Sequence, residues 1–179
     1  MFESVAIARK PRSKSVSRSV WPLPHHQGLN PTVIGRSLTD PGSLAVDIGY
    51  SGTDLSRRTF VPVFAVQDGV IAHVETTNRG HAITIDHDGW CTSYSELEHV
   101  FVLKSERQSR RRPRVRAGDV LGYVRIPVQV RFELWQLDDD DDLVPVDPQP
   151  HLHQWLTLPD LEQAPRNDQQ PPRNDGIAA

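Results

Sequence analysis

Ala82-Ile-Thr-Ile-Asp-His-Asp-Gly-Trp-Cys-Thr-Ser-Tyr-Ser95 alternates apolar and polar side chains on both sides of Asp88-Gly89. Period-two alternation suits a strand with one buried face, and Asp-Gly between two such runs is a short hairpin signal. The same texture extends outward in both directions. Phe60-Val-Pro-Val-Phe-Ala-Val66, the turn signal Gln67-Asp-Gly69 and Val70-Ile-Ala-His-Val-Glu75 predict a second hairpin. Val115-Arg-Ala-Gly-Asp-Val-Leu-Gly-Tyr-Val124 and Val128-Gln-Val-Arg-Phe-Glu-Leu-Trp-Gln136 complete the set. No 12-residue stretch keeps an apolar face at helical spacing. Short strands jointed by Gly and Pro predict an all-β fold, a sandwich or barrel.

The flanks differ in kind. Residues 8–20 are basic and Ser-rich, and the segment from Pro159 onward repeats Pro-Arg-Asn-Asp at 165–168 and 172–175 among Gln and Pro. Such compositions lack the apolar surface to offset an ordering cost of about 1–2 kcal/mol per residue. The expected organisation is a basic arm over 1–20, a β domain over 21–158 and a Pro/Gln/Asn-rich tail over 159–179. A chain of 179 residues with 15 Pro is consistent with one domain plus such tails.

Charge and cysteine content exclude several classes. A formal charge of −3 exerts no overall pull toward nucleic acid or membrane. The single cysteine, Cys91, excludes an internal disulfide and a cysteine metal cage. No 18-residue apolar run and no charged start followed by an apolar stretch is present, so neither a membrane span nor a signal peptide is expected, and synthesis in the cytoplasm is. Two charged insertions interrupt the strands: an Arg-rich run over 104–116, which includes Arg110, Arg111 and Arg112, and five consecutive aspartates at 138–142. Both suit solvated loops. The Arg run is also a candidate polyanion contact, although no aromatic residue interleaves it for base stacking, and no nucleic-acid partner is expected.

The order of the fragments resembles a known family. Trp21-Pro-Leu-Pro24, Ile34-Gly-Arg36, Ala45-Val-Asp-Ile-Gly49, Val61 to Ile71, Ile83-Thr-Ile-Asp-His87, Ser93-Tyr-Ser-Glu-Leu97, Val115 to Val124 and Arg131-Phe-Glu-Leu134 are similar, in sequence and spacing, to the lysostaphin/LytM-type zinc endopeptidase domain. The resemblance spans about residues 21–150. It implies a small antiparallel β domain with a groove across one sheet face, where active members hold zinc and cut peptidoglycan cross-bridges. It also implies a constellation: a His and an Asp four residues apart, a His after a Tyr-X pair, and a His-X-His before Phe-Glu. The first His, the Asp and the last His hold the metal, and the other two assist proton transfer.

At those positions this chain has Ser43, Asp47, Glu96, Gln129 and Arg131, so only the aspartate is retained. A hydroxyl and a permanently protonated guanidinium do not replace two imidazoles as zinc ligands. The expectation is a metal-free site in which Arg131 pairs with Asp47 and Glu96 shares the guanidinium. His151-Leu-His153 reproduces the lost triplet, and with Asp47 it forms an alternative, relocated zinc set. His25, His26, His73, His81, His87 and His99 are assigned no role.

The function expected from this is a non-catalytic LytM-like structural or binding module without a cofactor. It would belong to a phage or phage-derived particle or another wall-facing assembly, with other subunits contacting 1–20 and 159–179 and peptidoglycan as a candidate ligand. The alternatives are an endopeptidase with a non-standard zinc site and a polyanion-binding module using the Arg run.

Overall fold

A computed structural model describes residues 19–26, 29–37, 44–51, 60–101, 112–125, 129–140 and 142–158. Among the described residues, eleven strands and one short helix follow in chain order: β1 Pro31–Ser37, β2 Ala45–Tyr50, β3 Phe60–Phe64, β4 Gly69–Thr77, β5 Gly80–Asp86, β6 Trp90–Leu97, β7 His99–Val100, β8 Arg114–Val115, β9 Val120–Arg125, β10 Val130–Leu137, β11 Leu143–Val146 and α1 Gln149–Leu152. All the strand pairings between them are antiparallel. The all-β expectation holds.

The larger sheet has the order β1-β2-β10-β6-β5-β4-β8, with β11 also beside β10; the smaller is β3-β9-β7. Alternation sends one set of side chains inward from both: Val46 and Ile48, Val130 and Phe132, Tyr94, Ile83 and Ile85, Val61 and Val63, Leu121 and Val124. Tyr94 meets Phe132 edge-on at 5.3 Å, and Trp155 also meets Phe132 edge-on at 5.9 Å. Leu152 of α1 and Leu23 fill the remaining core space. No helix among the described residues is long and apolar enough to cross a membrane.

The Asp88-Gly89 hairpin forms as its residues require. Both have positive φ, 66° and 109°, and His87 N donates to Trp90 O at 2.9 Å, closing a two-residue loop of the kind that matches strand twist.

The 60–75 hairpin does not form. The strand over 60–64 pairs with β9 in the smaller sheet, whereas β4 pairs with β5 in the larger. Long-range bonds override the turn signal: Gly118 N donates to Ala65 O, Ala65 N to Asp119 O, and Val20 N to Val66 O. Asp68 is also taken, its Oδ1 accepting from Ala117 N at 2.9 Å. The segment 115–124 likewise divides, β8 joining the larger sheet and β9 the smaller.

Val20, expected within the arm, belongs to the core: it is buried and bridges Leu156 in parallel. The rest of the arm up to residue 18, and the whole tail from 159, lie outside the described residues.

Candidate functional site

Four residues stand in one row across four adjacent strands of the larger sheet. The register pairs Gly35 with Asp47, Asp47 with Arg131, and Arg131 with Ser95. Their neighbours Val46, Ile48, Val130, Phe132 and Tyr94 point into the core, so Asp47, Arg131 and Ser95 lie on the opposite face. Directly opposed residues bring their Cβ atoms to about 5 Å, which suits a short acidic and a long basic side chain. Arg131 Nε donates to Asp47 Oδ1 at 3.3 Å, with the side chains 16% and 11% exposed. Charges so little solvated are tolerable only when paired.

The neighbouring backbone is shaped to admit this pair. A bulge at Ile34 shifts the register from Val33↔Ile48 to Gly35↔Asp47, which sets a residue without a side chain beside the carboxylate. A Cβ on Gly35 would stand 3.1 Å from Asp47 Oδ2. Ile34 at the bulge lies over Gly49: a Cβ on Gly49 would stand 2.7 Å from Ile34 Cδ1 and 3.8 Å from the Cβ of Gln129. Gln129 is thus two residues before Arg131 and on the same face.

Glu96 is not part of the ion pair. A second bulge, where the register steps from Ile83↔Tyr94 to His81↔Leu97, puts Glu96 in the left-handed region at φ 67°. Its carboxylate reaches Arg79 at 3.8 Å, and no ion pair joins it to Arg131 among the described residues. This corrects the expected sharing, because the bulge re-aims the side chain. Ser43, Arg110 and Arg111 lie outside the described residues; Arg112 is exposed.

The relocated zinc set is not assembled either. No group of three or more His, Cys, Asp or Glu side chains able to hold a metal occurs among the described residues, which include Asp47, His151 and His153. His151 of α1 packs near Trp155, with ring centroids 6.5 Å apart, and His153 is exposed. Around Asp47 the described donors are one carboxylate and one guanidinium, and that set does not fit zinc, since the guanidinium offers only N–H donors.

A second polar concavity was not recognised in the sequence. Asp68, Asp86, Asp88 and Asp119 line it with Arg114, Arg116 and His87. His87 is buried and stacks on Trp90 at 4.3 Å. Its Nδ1 lies 2.9 Å from Asp68 O and its Nε2 2.8 Å from Thr92 Oγ1; Thr92 and Tyr94 hydroxyls are 3.3 Å apart, and Val66 N donates to Tyr94 Oη at 3.0 Å. A carbonyl only accepts, so Nδ1 carries the proton. With a neutral imidazole, Nε2 accepts from Thr92, and Thr92 in turn accepts from Tyr94. Burial holds the His87 pKa below its usual value, opposed by the bond to Asp68 O and the charges of Asp86 and Asp68. Burial also raises that of Tyr94 well above the phenol range. The one sequence signal for this chain of bonds is Thr92, a polar residue at a core-facing position between Trp90 and Tyr94.

No protein-family model matches the chain, and no curated protein matches it. Among solved structures, it is similar to a lysostaphin solution structure at 18% identity and TM-score 0.48, over 78% of this chain and 55% of that one. It is also similar to the antimicrobial peptidase lysostaphin from Staphylococcus simulans, at 14% identity and TM-score 0.46, over 89% and 60% of the two chains. A third is Helicobacter pylori Csd3, at 12% identity and TM-score 0.45, over 74% and 34%. The chain spans little more than half the length of the lysostaphins it matches.

Proposed function

We propose that the chain is a non-catalytic LytM-like module that binds bacterial cell wall without cutting it, as part of a wall-facing assembly such as a phage tail or baseplate. The observation that carries this reading is the Asp47–Arg131 ion pair at 3.3 Å. It occupies the two positions where the motif order implies an aspartate and a histidine bound to one zinc ion.

An endopeptidase of that design needs a metal-bound water and an imidazole to move its protons. Here the retained carboxylate is engaged by a guanidinium, which offers N–H donors and no lone pair, and Glu96 is turned toward Arg79. What remains is a sheet face with hydrogen-bonding groups in neighbouring rows: Arg131 and Ser95 in one, Glu133, Ser93, Thr84 and His73 beside it in register, and Gln129 two residues along the chain on the other side of Arg131. Such a face offers donors and acceptors to a peptide or glycan. Residues 1–20 and 159–179, compositionally unlike the domain, are the proposed tethers to neighbouring subunits.

The test combines metal analysis with two wall assays on purified full-length protein. Co-sedimentation with purified sacculi, no stoichiometric zinc after dialysis against zinc, and no release of soluble wall fragments are expected. Chelator-sensitive fragment release, or failure to sediment with sacculi, would overturn the reading.

A further inference from the structure

A guanidinium carries five N–H hydrogens, and only the one on Nε is accounted for by Asp47. Arg131 Nη1 and Nη2 have no acceptor among the described residues. Ser95, directly opposite on β6, has no side-chain hydrogen bond among them, and neither has Gln129, two residues along β10 on the same face. All three side chains belong to partly buried residues, where unmet donors are costly. Asp47 holds the side edge of the guanidinium, so its end edge, formed by the two terminal nitrogens, is held in a set direction.

We infer that Arg131, Ser95 and Gln129 form a receptor for a single carboxylate, the free C-terminus of a peptide, in the place where the resembling enzymes hold metal. Two parallel N–H groups match the two oxygens of a carboxylate, and the neighbouring hydroxyl and amide add neutral donors. Asp47 already balances the guanidinium, and Glu133 lies two residues along the same face, so a phosphate dianion is disfavoured relative to a monoanion. The identification of wall peptide as the source of that carboxylate rests on the reading above; the receptor itself rests on the geometry.

The experiment is an NMR titration of the full-length protein, following the Arg131 Nε–H and Ser95 amide signals. N-acetyl-Ala-Ala with a free C-terminus is the probe and its C-terminal amide the control. Saturable shifts with the acid and none with the amide are expected. In Arg131→Lys, which keeps the charge opposite Asp47 but loses the fork, affinity for the acid falls about tenfold or more, the cost of a charge-assisted hydrogen bond. Ser95→Ala, which leaves the ion pair in place, weakens it several-fold. Equal response to acid and amide, undiminished binding by Arg131→Lys with an intact thermal transition, or shifts confined to Arg112, Arg114 and Arg116 would overturn the inference. Acid binding without sacculus binding removes the wall reading and leaves the receptor; sacculus binding without any response at Arg131 does the reverse.

Discussion

Asp47 and Arg131 face each other across adjacent antiparallel strands, with the Arg131 Nε–H donating to Asp47 Oδ1 at 3.3 Å, and both side chains are largely shielded from water. Neither charge is stable there alone. Asp47→Asn or Arg131→Gln is expected to lower stability by about 2–4 kcal/mol, because each leaves a poorly solvated charge uncompensated. The double variant Asp47→Asn/Arg131→Gln should recover most of that loss. Urea unfolding of all four proteins checks it, and simple additivity of the single losses would show that the two side chains do not interact.

Gly35 adjoins the same carboxylate. Its missing side chain leaves Asp47 Oδ2 only 3.1 Å from where a Cβ would sit. Gly35→Ala should be tolerated with a loss below about 1 kcal/mol, and Gly35→Val should cost about 1–3 kcal/mol through overpacking. Thermal unfolding distinguishes the two.

Burial lowers the pKa of His87, so the folded state takes up a proton less readily than the unfolded chain. Stability is therefore unaffected above about pH 7, where both states are neutral. It falls as pH drops through the unfolded value near 6.5 and levels off below the folded one. His87→Gln should flatten the slope of unfolding free energy between about pH 7 and 5. An unchanged slope would assign the acid sensitivity to other groups.

Tyr94 closes the same chain of hydrogen bonds and fills the core. Tyr94→Phe keeps the contact with Phe132 but leaves Val66 N without its acceptor, costing about 1–2 kcal/mol. Phe132→Ala removes a fully buried ring and should cost about 3–5 kcal/mol. Denaturant midpoints should follow that order.

Glu96 sits at φ 67°, and its ion pair with the exposed Arg79 is weak. Glu96→Gly is expected to be neutral or stabilising by up to about 1 kcal/mol, whereas a β-branched Glu96→Val should be destabilising. A large loss in the glycine variant would show that the carboxylate matters more than the backbone.

The strands themselves were legible because alternation is local. Ala82–Asp86 and Trp90–Ser95 announce their inward and outward faces residue by residue, and Asp88-Gly89 announces the turn. The partners of the site were legible only in part. Asp47 and Arg131 were expected to pair, since two charges at adjoining positions of one motif frame need each other, but nothing local revealed that a bulge would turn Glu96 toward Arg79. His87 showed no sign of its setting, since the carbonyl of Asp68 is 19 residues away in the chain and the Thr92 hydroxyl reaches it only once the hairpin has closed.

Residue order alone determined that this chain is built of β-strands and, away from the bulges, which side chains share a face, because a period of two is imposed by the backbone of every regular strand. Which strand lies beside which was decided in three dimensions. Phe60–Phe64 carries a good hairpin signal toward Val70, yet it pairs with Val120–Arg125, where Ala65 N donates to Asp119 O, Gly118 N donates to Ala65 O, and Val61, Val63, Leu121 and Val124 close the core together. Burial of those four side chains outweighs a turn preference that nearby residues express.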